Sequence, residues 1–338
     1  MKAMKAKGTP FTPTEVIFAP TARCNLACGH CRVDRSRKTA LTAEAACAFL
    51  EDCAAHGIDR VGFSGGEPFL EPAFLAAVIE KTVDLGLMFD RLMTNGVWYD
   101  SDAELDRVLG MIYDAGFDGT IGLSVDDWHG QNPEKLSAFI RKVAELGAEN
   151  DATGETVGVE IVSVRSREGD APANLLERTA SLLGAKLILE KGTPAEIRSG
   201  STRGNRSHDS GENALNIPIL VIPYSAGADD PAAWRAKKWF DDDWCAGPGN
   251  VLYVHPDSAV AVCCGFANER PELTVGTVAD GVETLITRAR ATPHIIDCYE
   301  RGLSVRRREL EASGTIFPGT ADDICFFCDW LCGKGHNR

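Results

Sequence analysis

From Thr14 to about Lys191, short apolar runs alternate with longer amphipathic stretches. The runs are EVIFA (15–19), RVGFS (60–64), FDRLMTN (89–95), TIGLSV (120–125), GVEIVSV (158–164) and KLILE (186–190), and they read as buried strands. LTAEAACAFLEDCAAHG (41–57) reads as a helix with Cys47, Leu50 and Ala54 on one face and Gly57 as its stop signal. Helical patterns follow at 71–86, 102–116, 133–147 and 172–184. Six strands with a helix in each of the five gaps predict a parallel sheet with helices outside. The expected class is α/β, a partial (β/α)6 TIM-like barrel over 14–191. Such a fold places its site at the C-terminal ends of the strands.

Residues 192–243 lose this periodicity and read as a bridge, with a polar loop at RSGSTRGNRSHDSGENA and one strand-like run, IPILVIPYS. From 244 to 338 the pattern changes again. NVLYVHPDSAVAVCC reads as a hairpin turning at His255-Pro256-Asp257-Ser258. A helical stretch follows at about 281–312, then DDICFFCDWLCG. Seven of the twelve cysteines fall here, which marks a small hairpin-plus-helix module that binds metal.

Composition narrows the function. Net charge is −14, which disfavours nucleic acid as a partner because that binding neutralises phosphates with Lys and Arg. Two basic patches, Arg198/Arg203/Arg206 and Arg306–Arg308, lack interleaved aromatic residues and read as a polar loop and a solvated helix face. No apolar run reaches the roughly eighteen residues of a membrane span. The start, MKAMKAKGTPFTPTE, is not a secretory signal, so a cytoplasmic protein is expected. In a reducing compartment its cysteines are ligands, catalysts or core residues rather than disulfides.

Cys24, Cys28 and Cys31 follow the first strand directly, spaced C-x3-C-x2-C. Three thiolates suit zinc, with His30 as a fourth ligand, or a four-iron cluster with one iron left open. After the second strand comes FSGGEPFL, in which Gly65 and Gly66 allow close backbone approach and Glu67 adds an acceptor. Together these loops resemble the radical S-adenosylmethionine (SAM) superfamily. The resemblance implies a [4Fe–4S] cluster on Cys24, Cys28 and Cys31, whose open iron chelates SAM, with the Gly65-Gly66-Glu67 backbone at the SAM amine. It implies that cluster-driven cleavage of SAM yields a 5′-deoxyadenosyl radical. It also puts Ser124 and Asp126 of LSVDDWH at the SAM ribose, Arg165 at the methionine carboxylate and His30 near the adenine. Asn95, in the turn after the third strand, is placed at the cavity.

Cys245-x17-Cys263 with Cys325-x2-Cys328 resembles the twitch module, the short form of the SPASM domain. The resemblance implies a second, auxiliary [4Fe–4S] cluster on these four residues, with Cys332 as a substitute ligand; a zinc site closed by four cysteines is the alternative. Ser258 stands where that family usually has Gly. Cys47, Cys53 and Cys298 read as core or helix residues. Cys264 adjoins Cys263, and in a strand the two would face opposite ways.

FSGGEPFLEPAFL, TNGVWYD, SVDDWH, CAGPGNVLYVHPDSAVAVCC and ICFFC resemble the twitch-bearing peptide epimerases that invert L- to D-residues in ribosomal peptides. In that group a cysteine paired with a cluster ligand in a Cys-Cys step gives the hydrogen, a role that falls to Cys264; the auxiliary cluster is then expected to re-reduce the sulfur radical. Rival uses of the same parts are oxidation of a small-molecule alcohol or amine, and peptide cross-linking such as thioether formation. The implied partners are a precursor peptide or small-molecule substrate, and a reductant such as flavodoxin or ferredoxin.

Overall fold

The computed structural model describes residues 8–149, 158–164, 174–199, 215–222, 224, 227–241, 244–245, 250–265 and 267–333. Strands β1 (Glu15–Phe18), β2 (Arg60–Phe63), β3 (Met88–Thr94), β4 (Thr120–Ser124) and β5 (Val159–Val164) pair in that order, all parallel. Between them run α1 (Ala43–Ala55), α2 (Pro72–Asp84), α3 (Asp102–Asp114) and α4 (Pro133–Glu149), and α5 (Asn174–Leu182) follows β5. Thr42 and Ser101 cap α1 and α3, their hydroxyls accepting from Ala45 N and Glu104 N, each at 3.2 Å.

The sixth parallel position is not filled by KLILE. That run is β6 (Lys186–Glu190), and it turns straight back, antiparallel, into β7 (Thr193–Arg198). Lys191 (φ 51°) and Gly192 (φ 85°) are both left-handed, the two-residue turn whose twist suits a hairpin. A crossover to a parallel neighbour needs about a dozen residues, which this turn does not provide. The position beside β5 goes to β8 (Asn216–Ile222), the strand-like run of the bridge, with Ile161 opposite Ile219.

Beyond β1 the sheet continues into the C-terminal part. Strand β9 (Val251–Val254) lies parallel to β1, β10 (Ala259–Ala261) returns antiparallel to it, and β11 (Thr274–Thr277) pairs antiparallel with β10. One sheet thus carries both parts, in the order β11-β10-β9-β1-β2-β3-β4-β5-β8-β7-β6. Then come α6 (Val282–Ala291), α7 (Pro293–Ile296), a π-helical turn at Asp297–Arg301, α8 (Leu303–Ala312) and α9 (Ile324–Gly333).

Strand alternation sorts the side chains. Val16, Phe18, Val61, Phe63, Ile121 and Leu123 are buried in the main hydrophobic core, while Ile17 and Ala19 pack in a separate small cluster with Tyr253 and Ala261. Helix α1 buries Ala46, Phe49, Leu50 and Cys53 rather than the Cys47–Leu50–Ala54 stripe expected from sequence. The bulky Phe49 sets that rotation, since burying such a side chain contributes about 1.5–3 kcal/mol. A Cβ on Gly62 would meet Glu15 Oε1 at 2.9 Å, and one on Gly122 would overlap Met93 Sδ. Arg91 pairs with Glu160 at 2.9 Å. Glu15, Arg91 and Met93 therefore fill the sheet's inner face, into room left by two glycines.

The C-terminal module has an aromatic core. Trp239 and Phe240 meet Phe327 at ring separations of 5.9 and 5.4 Å, and Trp234 meets Trp330 at 5.9 Å. In the Arg306–Arg308 run, Arg307 lies over the Trp239 ring at 4.8 Å and pairs with Glu311, and Arg306 pairs with Asp297. Arg198 pairs with Glu196. Arg203 and Arg206 fall outside the described residues. Among the described residues no helix is long and apolar enough to cross a membrane.

Candidate functional site: two cysteine centres on one sheet

Cys24, Cys28 and Cys31 lie in the loop that leaves β1. All three line a cavity of about 170 Å³, together with His30, Ser64, Gly65, Gly66, Thr94, Asn95, Ser124 and His129. The cavity therefore sits where the C-terminal ends of β1 to β4 meet.

The two glycines bring one loop against the other. Gly66 N donates to Thr21 O at 2.9 Å and Glu67 N to Arg23 O at 2.8 Å. A Cβ on Gly66 would overlap Arg23 O, and Gly65 adopts φ +122°. Sequence reasoning assigned close approach to a ligand; the structure adds close approach to the cysteine loop itself.

Glu67 does not line the cavity. Its carboxylate is fully buried and accepts from Thr94 Oγ1 at 2.9 Å, Asn95 N at 2.8 Å and Phe69 N at 3.2 Å. Desolvation pushes this carboxyl up to about 7, against the pull of those hydrogen bonds. Glu67 so fixes the end of β3, and Asn95 extends from there: its Nδ2 donates to Asn25 Oδ1 at 2.8 Å and lies 3.7 Å from Cys24 Sγ. Burial raises the Cys24 thiol above its ordinary range.

Asp126 is also buried and spent on protein groups. It accepts from Trp128 N at 2.9 Å and Val164 N at 3.2 Å, and His129 Nδ1 lies 2.8 Å from its Oδ1. Ser124 and His129, not Asp126, reach the cavity wall. Desolvation lowers the His129 pKa, but hydrogen bonds to Asp126 and Cys28 outweigh it and lift it to about 9. His129 was not singled out from sequence; its place three residues after Asp126, on a strand-end loop, was the available signal. His30 stands edge-on to His129 at 4.8 Å, with Nδ1 buried and no hydrogen-bond partner for it among the described residues. Arg165 lies outside the described residues.

The second centre gathers more cysteines than the four expected. Cys245, Cys263 and Cys328 pack against the same core, and burial raises the Cys325 thiol, with Asp323, Cys245 and Cys263 adding to the rise. Burial pushes the Cys263 thiol up to about 12, with Cys245 adding to the rise. Cys298, read from sequence as a core or helix residue, is buried but belongs to this group: its Sγ is 3.8 Å from Cys328 Sγ. The π-helical turn carries it there, and Cys245 N donates to Cys298 O at 2.9 Å. Cys332 and His294 join them, 3.4 Å apart. No spacing rule pointed to His294 or Cys298.

The Cys263–Cys264 pair lies just past β10 and divides between two environments. Cys263 packs against the main core with Cys245 and Cys328. Cys264 packs against the other cluster, with Ile17, Ala19, Tyr253 and Ala261.

The donor sets fit iron–sulfur ligation: three thiols around one cavity, and a group of thiols in a buried module. The Radical SAM superfamily model matches residues 18–165. This stretch is a radical SAM domain. The radical SAM domain holds the whole first centre and β2 to β5, and it begins at Phe18, the last residue of β1. Part of the chain is similar to the PqqA peptide cyclase of Methylorubrum populi, 34% identical over 157 residues, or 40% of this chain and 38% of that protein. Another relative is the GTP 3',8-cyclase of Chlorobaculum tepidum, 33% identical over 129 residues, or 38% of this chain and 36% of that protein. The matches thus span under two-fifths of either relative. The fold is similar to that of Streptococcus suis SuiB bound to S-adenosylmethionine, with a TM-score of 0.50 and 13% identity, covering 94% of this chain and 77% of that one.

Proposed function

We propose that the chain is a radical SAM enzyme that inverts an L-residue to a D-residue in a ribosomal precursor peptide, with Cys264 as hydrogen donor. The observation that carries this reading is the division of the Cys263–Cys264 step between two packing environments. Cys24, Cys28 and Cys31 would hold the SAM-binding [4Fe–4S] cluster, with Gly65, Gly66, Ser124 and His30 around SAM. Arg165 is kept as the partner of its carboxylate, and Asp126 acts on the ribose side through His129. Cys245, Cys263, Cys325 and Cys328 would hold the auxiliary [4Fe–4S] cluster. Once bound, SAM and its cluster supply a carbon-centred radical that removes a hydrogen atom from the substrate.

The chain's own contribution is the return hydrogen. The Cys264 S–H bond breaks and a C–H bond forms on the opposite face of the substrate carbon, which inverts the centre. One electron and one proton restore the thiol, drawn from a reductant such as flavodoxin or ferredoxin in the cytoplasm. The apolar neighbours Ile17, Ala19 and Ala261 favour the neutral thiol this step needs. A second reading, peptide cross-linking, draws on the similarity to the PqqA peptide cyclase.

Turnover in D2O with a candidate peptide tests the assignment. Inversion through an exchangeable thiol places one deuterium at the inverted carbon and leaves connectivity unchanged, whereas cross-linking removes two hydrogens. Cys264→Ala should still cleave SAM yet give no D-residue. Inversion by that variant would refute the donor assignment.

A further inference from the structure

Two pairs of residues face each other across the auxiliary module. His294 and Cys298 are four residues apart on α7 and the π-helical turn that continues it; Cys328 and Cys332 are four apart on α9. Residues at that spacing share a helix face. His294 Nε2 lies 3.2 Å from Cys328 Sγ and 3.4 Å from Cys332 Sγ, and Cys298 Sγ lies 3.8 Å from Cys328 Sγ. His294 and Cys298 are 1% and 4% exposed. One sulfur, that of Cys328, is thus the focus of an imidazole and a second thiol.

A metal-bound thiolate has lone pairs free to accept several hydrogen bonds, and it carries the charge that rewards them. We propose that His294 Nε2–H and Cys298 S–H donate to the metal-bound Cys328 thiolate and so raise the reduction potential of the auxiliary centre. The proposal rests on the reading of Cys328 as an auxiliary-cluster ligand. The physical reason is that a hydrogen bond withdraws charge from the ligand sulfur and favours the more negative, reduced cluster. His294 and Cys298 are then positioning residues, acting through Cys328. This also gives Cys298 a role among the thiols that the module holds beyond the four a cluster binds.

The test is a redox titration followed by electron paramagnetic resonance, on the full chain reconstituted anaerobically with iron and sulfide. The centre whose signal changes on adding SAM is the first one; the unresponsive signal is the auxiliary one. His294→Leu should move the auxiliary midpoint to more negative potential and leave the SAM-responsive midpoint in place. His294→Gln, which keeps an N–H at similar reach, should restore most of the difference. Cys298→Ala, an independent variant, should shift the same centre in the same direction by less. Unchanged auxiliary midpoints in both His294→Leu and Cys298→Ala, with iron retained, would overturn the proposal. Loss of the auxiliary iron from both His294 variants would overturn it too, by making the imidazole a ligand. A wild-type chain with only the SAM-responsive centre would fail one step earlier, at the reading of a second cluster.

Discussion

Asp329 Oδ1 lies 2.6 Å from Arg270 Nε, and the same fully buried carboxylate reaches Arg32 at 3.4 Å and accepts from Ala228 N at 3.0 Å. Arg32 follows Cys31 and Asp329 follows Cys328, so one carboxylate ties the first cysteine loop to the auxiliary helix. Removing one partner of a buried pair typically costs about 3–5 kcal/mol. Both guanidinium side chains keep about a third of their surface exposed, which softens the loss. Asp329→Ala should lower the unfolding free energy by about 2–3 kcal/mol. A denaturant titration within about 0.5 kcal/mol of wild type would disprove the tie.

Gly66 stands where a side chain would strike the backbone at Arg23. Backbone cannot swing aside as a side-chain tip can, so Gly66→Ala must part the two loops or strain them. The expected outcome is a folded chain that takes up less iron at the first centre and binds SAM at least about tenfold more weakly, a loss of about 1.4 kcal/mol. Iron analysis and SAM calorimetry measure both.

Burial, with Asp90 alongside, raises the Glu15 carboxyl to about 8 from its usual 4.5. The folded chain keeps a proton there that the unfolded chain releases once pH passes 4.5. Stability from this group is therefore fully present below pH 4.5 and is lost as pH rises through 8. Glu15→Gln should flatten that fall and make the variant more stable than wild type at pH 8.5, by an amount on the order of 3 kcal/mol. Urea unfolding at pH 5 and pH 8.5 decides it; equal slopes for both proteins would refute the assignment.

Ser258 sits at φ 69° in the β9–β10 turn, with its N–H donating to His255 O at 2.9 Å. This explains why a glycine suits the position: the left-handed conformation costs a side-chain-bearing residue about 1–2 kcal/mol. Ser258→Gly should raise stability by about 0.5–1 kcal/mol without altering iron content, as thermal unfolding would show.

Much of the fold was legible in the pattern. The strands β1 to β5, their helices and the β9–β10 hairpin each announce themselves within a few residues, because alternation and turn chemistry are local. The misplaced element was KLILE, since a five-residue apolar run looks the same whether its partner is parallel or antiparallel. The left-handed Lys191-Gly192 turn pairs it antiparallel with β7, and β8 takes the place beside β5. The chemistry-bearing residues divide similarly. Closely spaced cysteines were legible as candidate ligands. Asp126 was legible as a strand-end polar residue but not as the group that turns His129 to the cavity, because that depends on who reaches its carboxylate first.

The sequence alone determined the kinds of donor atoms and their local grouping: three thiols on one loop, a double glycine on the next, and a cysteine-rich tail. Covalent spacing sets these, and folding cannot change them. Only the tertiary structure decided which distant groups share a site. It placed β9 beside β1 in one sheet, set His294 and Cys298 against Cys328, spent Glu67 on the end of β3, and packed Cys264 against a different cluster from Cys263. The reason is that partners far apart in the chain are chosen by burial and hydrogen bonding over the whole molecule, and no local pattern records that competition.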